Sequence, residues 1–478
     1  MNFSSFKHYA GIRKALARRL PDGLILLKGG DPIVRNGDVE YVFRQKSNFL
    51  YLSGFEEPGA WILIDPKRKK DVLFIPKADD HHLVWIGTLP TLEESRKRYG
   101  FSRVCYQSDF RAELKKALSG YRKIYAEEEA LPHLKPLGKS KVFAQDLREA
   151  LDELRAVKTP GEIDLLKTAN RISGSAHQEV MRQTRPGQYE YQAQAIFESE
   201  CLKSGLRSLG YPSIVASGTN AAVLHYNKNS KTIKDGELVL IDAGAELRGY
   251  SADITRTFPA NGRFTQKQRD IYAIVLEAQK KSIEKSRPGA LSAELHVFSM
   301  RVIAEGLKSL GILKGDTDGL IENGAVRVFY PHGLTHMLGL DVHDSTGGKK
   351  RCVPNPTKIP VRFSAKLEAG FIITMEPGIY FIRFLLESPK IREKMKDQIN
   401  FKMIQHFLDF GGIRIEDDIL ISPHGAPMNL THVPKEVEDI ERLCAEGRAR
   451  PSGNWENFWV SKGVKSGGEG GIRTLGTS

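Results

Sequence analysis

The stretch Leu238 to Pro259 constrains this chain most. Leu238-Val239-Leu240-Ile241 is an apolar run closed by Asp242, and Asp253 opens a second β-rich run, Ile254-Thr255-Arg256-Thr257-Phe258. A polar break at Arg248-Gly249 lies between them, which reads as a hairpin with a two-residue turn. That register sets Asp242 opposite Thr255 and Asp253 opposite Gly244. The two carboxylates are then diagonal neighbours on one face, roughly 7–8 Å apart at the backbone. Paired metal ions in hydrolytic sites lie about 3.5–4 Å apart, so carboxylates placed this way are able to share one pair. Two solvated hairpin aspartates are the alternative, and the hairpin alone does not decide between them.

Composition narrows the setting. The 478 residues are enough for two or three domains, and 40% hydrophobic with 27% charged residues is the composition of a soluble globular protein. No apolar run approaches the ~20 residues that span a bilayer, so no membrane partner is expected. Met1 to Leu20 reads as a basic amphipathic helix without the apolar core of a secretory signal. Cys105, Cys201, Cys352 and Cys444 are far apart, which argues against a disulfide framework or structural zinc and for a cytoplasmic protein. Basic residues exceed acidic ones by 71 to 58, a formal +13. They are spread from Arg13 through Lys67-Arg68-Lys69-Lys70 to Lys349-Lys350-Arg351, without a recognition helix, zinc finger or aromatic RNA-binding pattern. No nucleic-acid partner is expected.

Residues 1–157 alternate strand and helix signals and read as an α/β domain. Leu24-Ile25-Leu26-Leu27, Tyr41-Val42-Phe43, Trp61-Ile62-Leu63-Ile64 and Asp71-Val72-Leu73-Phe74-Ile75 are the expected strands; Leu92–Tyr99 and Phe110–Leu118 are the expected helices. His81-His82 and Trp85 read as a loop. Lys158-Thr159-Pro160-Gly161 marks the boundary to a second domain, 158–450. There, Glu162–Gln183 and Tyr189–Ser204 form a helix pair across Pro186-Gly187, and Gln266–Ser286 and Ala293–Leu310 repeat it across Pro288-Gly289. Two related halves are implied. A histidine cluster at Pro331–His336, a strand Phe371–Glu376, a helical insertion Phe384–Leu408 and a strand Gly411–Ile421 follow. Residues 451–478, rich in Gly, Ser and Lys, read as a disordered tail. Gly471-Ile472-Arg473-Thr474 matches what the complement of a tRNA T-arm could encode, so the tail reads as translation into a neighbouring gene. Mass spectrometry of the native protein tests this, with an end near residue 450 expected and an intact tail contradicting it.

Asp242, Asp253, His336, Glu376 and Glu416 stand out as ionisable groups set within apolar or glycine-punctuated strands. Burying such carboxylates costs several kcal/mol each unless they are paired or bound to metal. Asp242-x-Gly, Ser251-Ala252-Asp253-Ile254-Thr255-Arg256-Thr257-Phe258, His332-Gly-Leu-Thr-His336, Glu376-Pro377-Gly378 and Arg414-Ile415-Glu416-Asp417 together resemble the signature of the pita-bread metallopeptidases. Within that group the chain resembles the proline-specific branch, prolidase and aminopeptidase P, from Tyr41 to about residue 445. The resemblance implies an α/β N-terminal domain followed by an α+β pita-bread (creatinase/aminopeptidase-like) catalytic domain, usually assembled as a homodimer. It also implies that the five residues bind two divalent metal ions, manganese above all. Asp253 and Glu416 would bridge both, Asp242 would hold one, and His336 and Glu376 the other, with a bridging hydroxide as nucleophile and Glu376 as general base. His225, His332 and His343 match positions that handle the scissile carbonyl and the leaving nitrogen.

An Xaa-Pro bond has no N–H, so a dedicated site must recognise the ring and the ends of the substrate. Arg362 matches the arginine with which prolidases clamp the dipeptide carboxylate, and Arg414 a second substrate-side arginine. With the insertion Phe381–Gly412, these favour manganese-dependent hydrolysis of Xaa-Pro dipeptides (prolidase). The alternative is an Xaa-Pro aminopeptidase that takes one residue from longer peptides. A non-catalytic pita-bread binding module and a metal-free creatinase-like hydrolase are disfavoured by the intact ligand set. Thr335 replaces a usual glycine and Ser345-Thr346 a usual Val-Gly, changes expected to reshape the pocket.

Overall fold

The computed structural model describes residues 5–134, 143–349, 351–362 and 364–449. Lys350 and the 451–478 tail lie outside them, and with them the reading of that tail. In the first domain, side-chain alternation shares each strand between two cores. A six-stranded mixed sheet runs in the order Arg103–Tyr106, Lys70–Ile75, Trp61–Asp65, Leu24–Lys28, Lys123–Ala126, Phe143–Asp146. Leu24, Leu26, Trp61, Leu63 and Phe74 pack one face against Phe110, Leu114 and Leu118 of the helix Phe110–Leu118. Ile25, Leu27, Ile62, Ile64 and Leu73 pack the other against Ile12 and Leu16 of the helix Ser5–Arg19. That second core also takes in Leu165, Leu166, Tyr250, Leu338, Leu340 and Ile372, so the two domains share it.

Two expectations for this domain are corrected. Tyr41-Val42-Phe43 is no strand: it follows a two-stranded ladder, Val34–Asn36 with Val39–Glu40, and leaves Val42 86% exposed. β-propensity without a partner strand makes no ladder, and the next residues turn inward, Arg44 to Glu246 and Gln45 Oε1 to the Gly30 N–H. His81-His82-Trp85 is not a loop but an exposed helix, Asp80–Trp85, capped by the Asp79 carboxylate, which accepts from the His82 N–H.

The helix Pro160–Gln183 that opens the second part of the chain is capped by Thr159 with Glu162 in a capping box. That helix pairs with Glu190–Lys203, and Gln266–Lys285, capped by Thr265 with Gln268, pairs with Ser292–Ser309. Inside them lie antiparallel ladders: Ile214–Ser217, Leu238–Asp242 and Thr255–Pro259 in one, Ile372–Met375, Asp417–Leu420 and Met428–Asn429 in another, and Gly378–Tyr380 with Gly412–Arg414. A Thr255–Glu416 bridge joins the halves. The insertion is helical as expected, in short helices Arg383–Leu386, Pro389–Lys394 and Phe401–Ile404, with Pro389 and the capping Asn400 setting the breaks. It docks outside, Asn400 donating to the Gly311 carbonyl and Lys267 to the His406 carbonyl. No helix among the described residues is long and apolar enough to cross a membrane.

Candidate metal centre

The hairpin has the register its sequence implies. Asp242 pairs with Thr255, Glu246 with Ser251 and Leu247 with Tyr250. Arg248 and Gly249 both have positive φ, 52° and 84°, as a type I′ turn requires. Between the two ladders, Ala243 donates to the Ile254 carbonyl and Ala252 to the Ala245 carbonyl, so Asp253 faces Gly244. A Cβ at Gly244 would lie 1.8 Å from the Ala252 oxygen; only glycine fits. The Tyr211 hydroxyl lies 2.6 Å from Oδ1 of both Asp242 and Asp253, which places the two carboxylates on one face.

The second half supplies the rest. The His336 N–H donates to Thr374 Oγ1 at 3.1 Å, and Nδ1 faces the Met337 carbonyl at 3.0 Å. A proton on Nδ1 leaves the Nε2 lone pair pointing inward, 3.3 Å from Asp253 and 3.5 Å from Glu376. Glu416 accepts from Thr255 Oγ1 at 2.6 Å, and its own N–H donates to the Thr255 carbonyl. One ligand atom each from Asp253, His336 and Glu416 lies within 4.8 Å of the others.

Asp253, His336 and Glu416 are deeply buried and Glu376 partly so, and the charges show it. Burial pushes Glu376 up to about 7 against the opposing pull of His336 and Arg414. Burial, then repulsion from Asp253, Glu376 and Asp242, holds Glu416 well above the carboxylate range. Asp253 is raised mainly by burial as well. Four carboxylates face one imidazole and one guanidinium, a deficit of positive charge that divalent cations would fill. Oxygen donors with a single imidazole suit such ions.

The remaining expected residues surround this cluster. His332 sits with Nδ1 2.8 Å from the Gly333 carbonyl and Nε2 2.8 Å from Tyr380 Oη; burial pushes it down to about 3. The ring of His343 meets that of His336 edge-on at 4.4 Å, and burial lowers it to about 4. His225 is exposed and near enough to act on both. Arg362 is exposed on the rim, its charge felt at His343. Arg414, expected on the substrate side, is 3% exposed and commits its nitrogens to Asp242 at 2.6 Å, Tyr380 at 2.9 Å and Thr255 at 3.1 Å. Thr335 is buried with its hydroxyl unpaired.

Tyr211, Tyr380 and Asp418 were not singled out in sequence. Asp418 accepts from the Asp253 N–H at 3.0 Å and from Asn170 at 2.8 Å. Its signal was available: three acids, Glu416-Asp417-Asp418, inside an apolar strand. Tyr211 lies in a Gly-Tyr-Pro-Ser loop and carries no comparable signal.

Residues 164–423 match metallopeptidase family M24, and residues 9–125 match the aminopeptidase P N-terminal domain. A protein of Paracoccidioides brasiliensis (strain Pb03) named Probable Xaa-Pro aminopeptidase PEPP is 38% identical over 434 residues, 89% of this chain and 92% of its own. One of the same name from Podospora anserina is 36% identical over 451 residues, 92% and 96% of the two chains. Zn-substituted E. coli aminopeptidase P in complex with product has a TM-score of 0.81 at 34% identity, covering 94% of this chain and 100% of that one. The same enzyme with the inhibitor Pro-Leu gives the same values. These matches correct the leaning toward prolidase and move the resemblance to aminopeptidase P. The features behind that leaning are local: an exposed Arg362 and an insertion docked on the outer helices.

Proposed function

Because the chain belongs to metallopeptidase family M24, as a metallopeptidase of the Xaa-Pro aminopeptidase type, we propose that it releases the N-terminal residue from peptides whose second residue is proline. The observation that carries this is the convergence of Asp253, His336 and Glu416 within 4.8 Å behind an aminopeptidase P N-terminal domain. Asp242, Asp253, His336, Glu376 and Glu416 would hold two divalent ions, with manganese as the metal in this reading. Such ions supply Lewis acidity toward a carbonyl and lower the pKa of water.

The chain's own residues do the rest. Glu376, with one oxygen 3.5 Å from His332 Nδ1 and the other 3.5 Å from His336 Nε2, is the general base of this reading. Tyr211 and Arg414 fix the Asp242 and Asp253 carboxylates. In this reading His343 and the exposed His225 hydrogen-bond the peptide carbonyl, and His332 is steadied by the Arg414–Tyr380 chain. Arg362 on the exposed rim is free to meet the acidic end or backbone of a peptide of more than two residues. The domain division at 157/158, a homodimer and the cytoplasm belong to the same reading; the free Cys352 thiol at the surface supports a reducing compartment. The test is the rate of the manganese-loaded protein on Ala-Pro-Ala against Ala-Pro. The tripeptide is expected to be cleaved at least tenfold faster; a dipeptide preference would return the assignment to prolidase.

A further inference from the structure

His343 sits in an irregular loop, Leu338–Asp344, whose start is tied to two strands, Leu338 donating to the Ile372 carbonyl and Ser251 to the Gly339 carbonyl. The side chains that hold the rest of it come largely from before the catalytic domain. Arg44 Nη2 donates to the Leu340 carbonyl at 2.6 Å, and Ser47 Oγ to Asp341 Oδ1 at 2.5 Å. Arg155 Nη2 reaches Asp341 Oδ2 at 2.6 Å and also pairs with Asp344 Oδ1. Its Nη1 donates to Asn48 Oδ1 at 2.8 Å. Lys158 Nζ donates to Asp344 Oδ2 at 2.8 Å and to the Arg155 carbonyl at 2.8 Å. One guanidinium nitrogen therefore grips the carboxylates on both sides of His343.

The cluster is buried except at Asp341, whose side chain is 46% exposed. The side chains of Arg155, Lys158 and Asp344 are 5%, 0% and 2% exposed. The loop wraps so closely that a Cβ at Gly339 would lie 2.0 Å from Asp344 Oδ2 and 2.9 Å from Lys158 Cε. Three buried charges are a poor device for stability, because apolar residues of the same volume often serve as well. What charges add is a fixed geometry, and here that geometry is the backbone on either side of His343.

We propose that Arg155 and Lys158 are positioning residues for His343: the ion cluster they form with Asp341 and Asp344 lets the N-terminal domain set where that imidazole stands beside His336. This rests on the catalytic reading of His343 given above. Arg155→Lys keeps the charge but shortens the reach and removes the Nη1 bond to Asn48 that aims Nη2 between the two carboxylates. Its kcat on Ala-Pro-Ala is expected to fall about tenfold, with KM and the manganese affinity read by calorimetry within about twofold of the parent. In a His343→Ala background the same substitution should add nothing, because the group it positions is gone. Ser47→Ala, a milder change at the Asp341 anchor, should give a smaller loss with the same signature if Arg155→Lys does not fold. An unchanged kcat in both variants, or an effect that multiplies with His343→Ala, overturns the proposal and leaves the catalytic reading standing. An undiminished kcat in His343→Ala overturns both.

Discussion

Burial acts on the histidines and the carboxylates of this protein in opposite directions. His177, His296, His332 and His343 are pushed down, while Asp253, Glu376 and Glu416 are pushed up; at His336 burial is outweighed by the Asp253 and Glu376 carboxylates, which raise it to about 8. His296 isolates the effect away from the ligands. Burial, helped by the charge of Arg327, lowers it from 6.5 to about 4, and its ring packs edge-on to Tyr330 with Nδ1 unpaired. Below pH 6.5 the unfolded chain takes up a proton at this position that the folded chain refuses until about pH 4. The contribution is therefore full above pH 6.5 and is lost as pH falls toward 4, by about 3 kcal/mol at most. His296→Gln should flatten that part of the acid limb in urea denaturation run from pH 7 to 4. An acid limb as steep as the parent's would contradict the assignment.

At the scale of elements, the hairpin is the part most exposed to a small change. Gly244 lies opposite Asp253, where the Ala252 carbonyl occupies the space of a side chain. Gly244→Ala should force the ladder apart, costing about 3 kcal/mol, the upper end for overpacking, and weakening metal binding because both aspartates shift. Urea denaturation and calorimetry read the two effects, and a variant unchanged in both would show that the ribbon is not rigid. This hairpin was legible because its turn residues and apolar runs fix one register, and the long helices were legible from their caps at Thr159 and Thr265. The Gly411–Ile421 run was harder. It reads as one strand but divides, Gly412–Arg414 pairing with Gly378–Tyr380 and Asp417–Leu420 with Ile372–Met375, while Glu416 between them turns to Thr255. A change of partner leaves no mark on periodicity. Tyr211 was illegible for the same reason: its role is set by where a loop passes in space.

Across the whole molecule, local and distributed signals had different fates. The five proposed ligand positions were readable because each sits in its own short pattern; in the structure Asp253, His336 and Glu416 converge from the two halves of the second domain, with Asp242 joined through Tyr211 and Glu376 beside His336. The choice between prolidase and aminopeptidase P depends on the entire chain, including a first domain whose core runs into the second, and two local features misdirected it. The burial of Arg414 was illegible for a related reason, since a buried guanidinium bonded to Asp242 and an exposed one look alike in sequence. The central claim is that the cluster of Asp242, Asp253, His336, Glu376 and Glu416 holds the metal on which cleavage depends. It is tested most directly by measuring metal content and Ala-Pro-Ala hydrolysis on the same samples, before chelation, after it, and on return of manganese. Activity should disappear with the metal and return as about two equivalents per chain are restored, with alanine and Pro-Ala as the only products. Hydrolysis that survives complete removal of the metal would contradict the account.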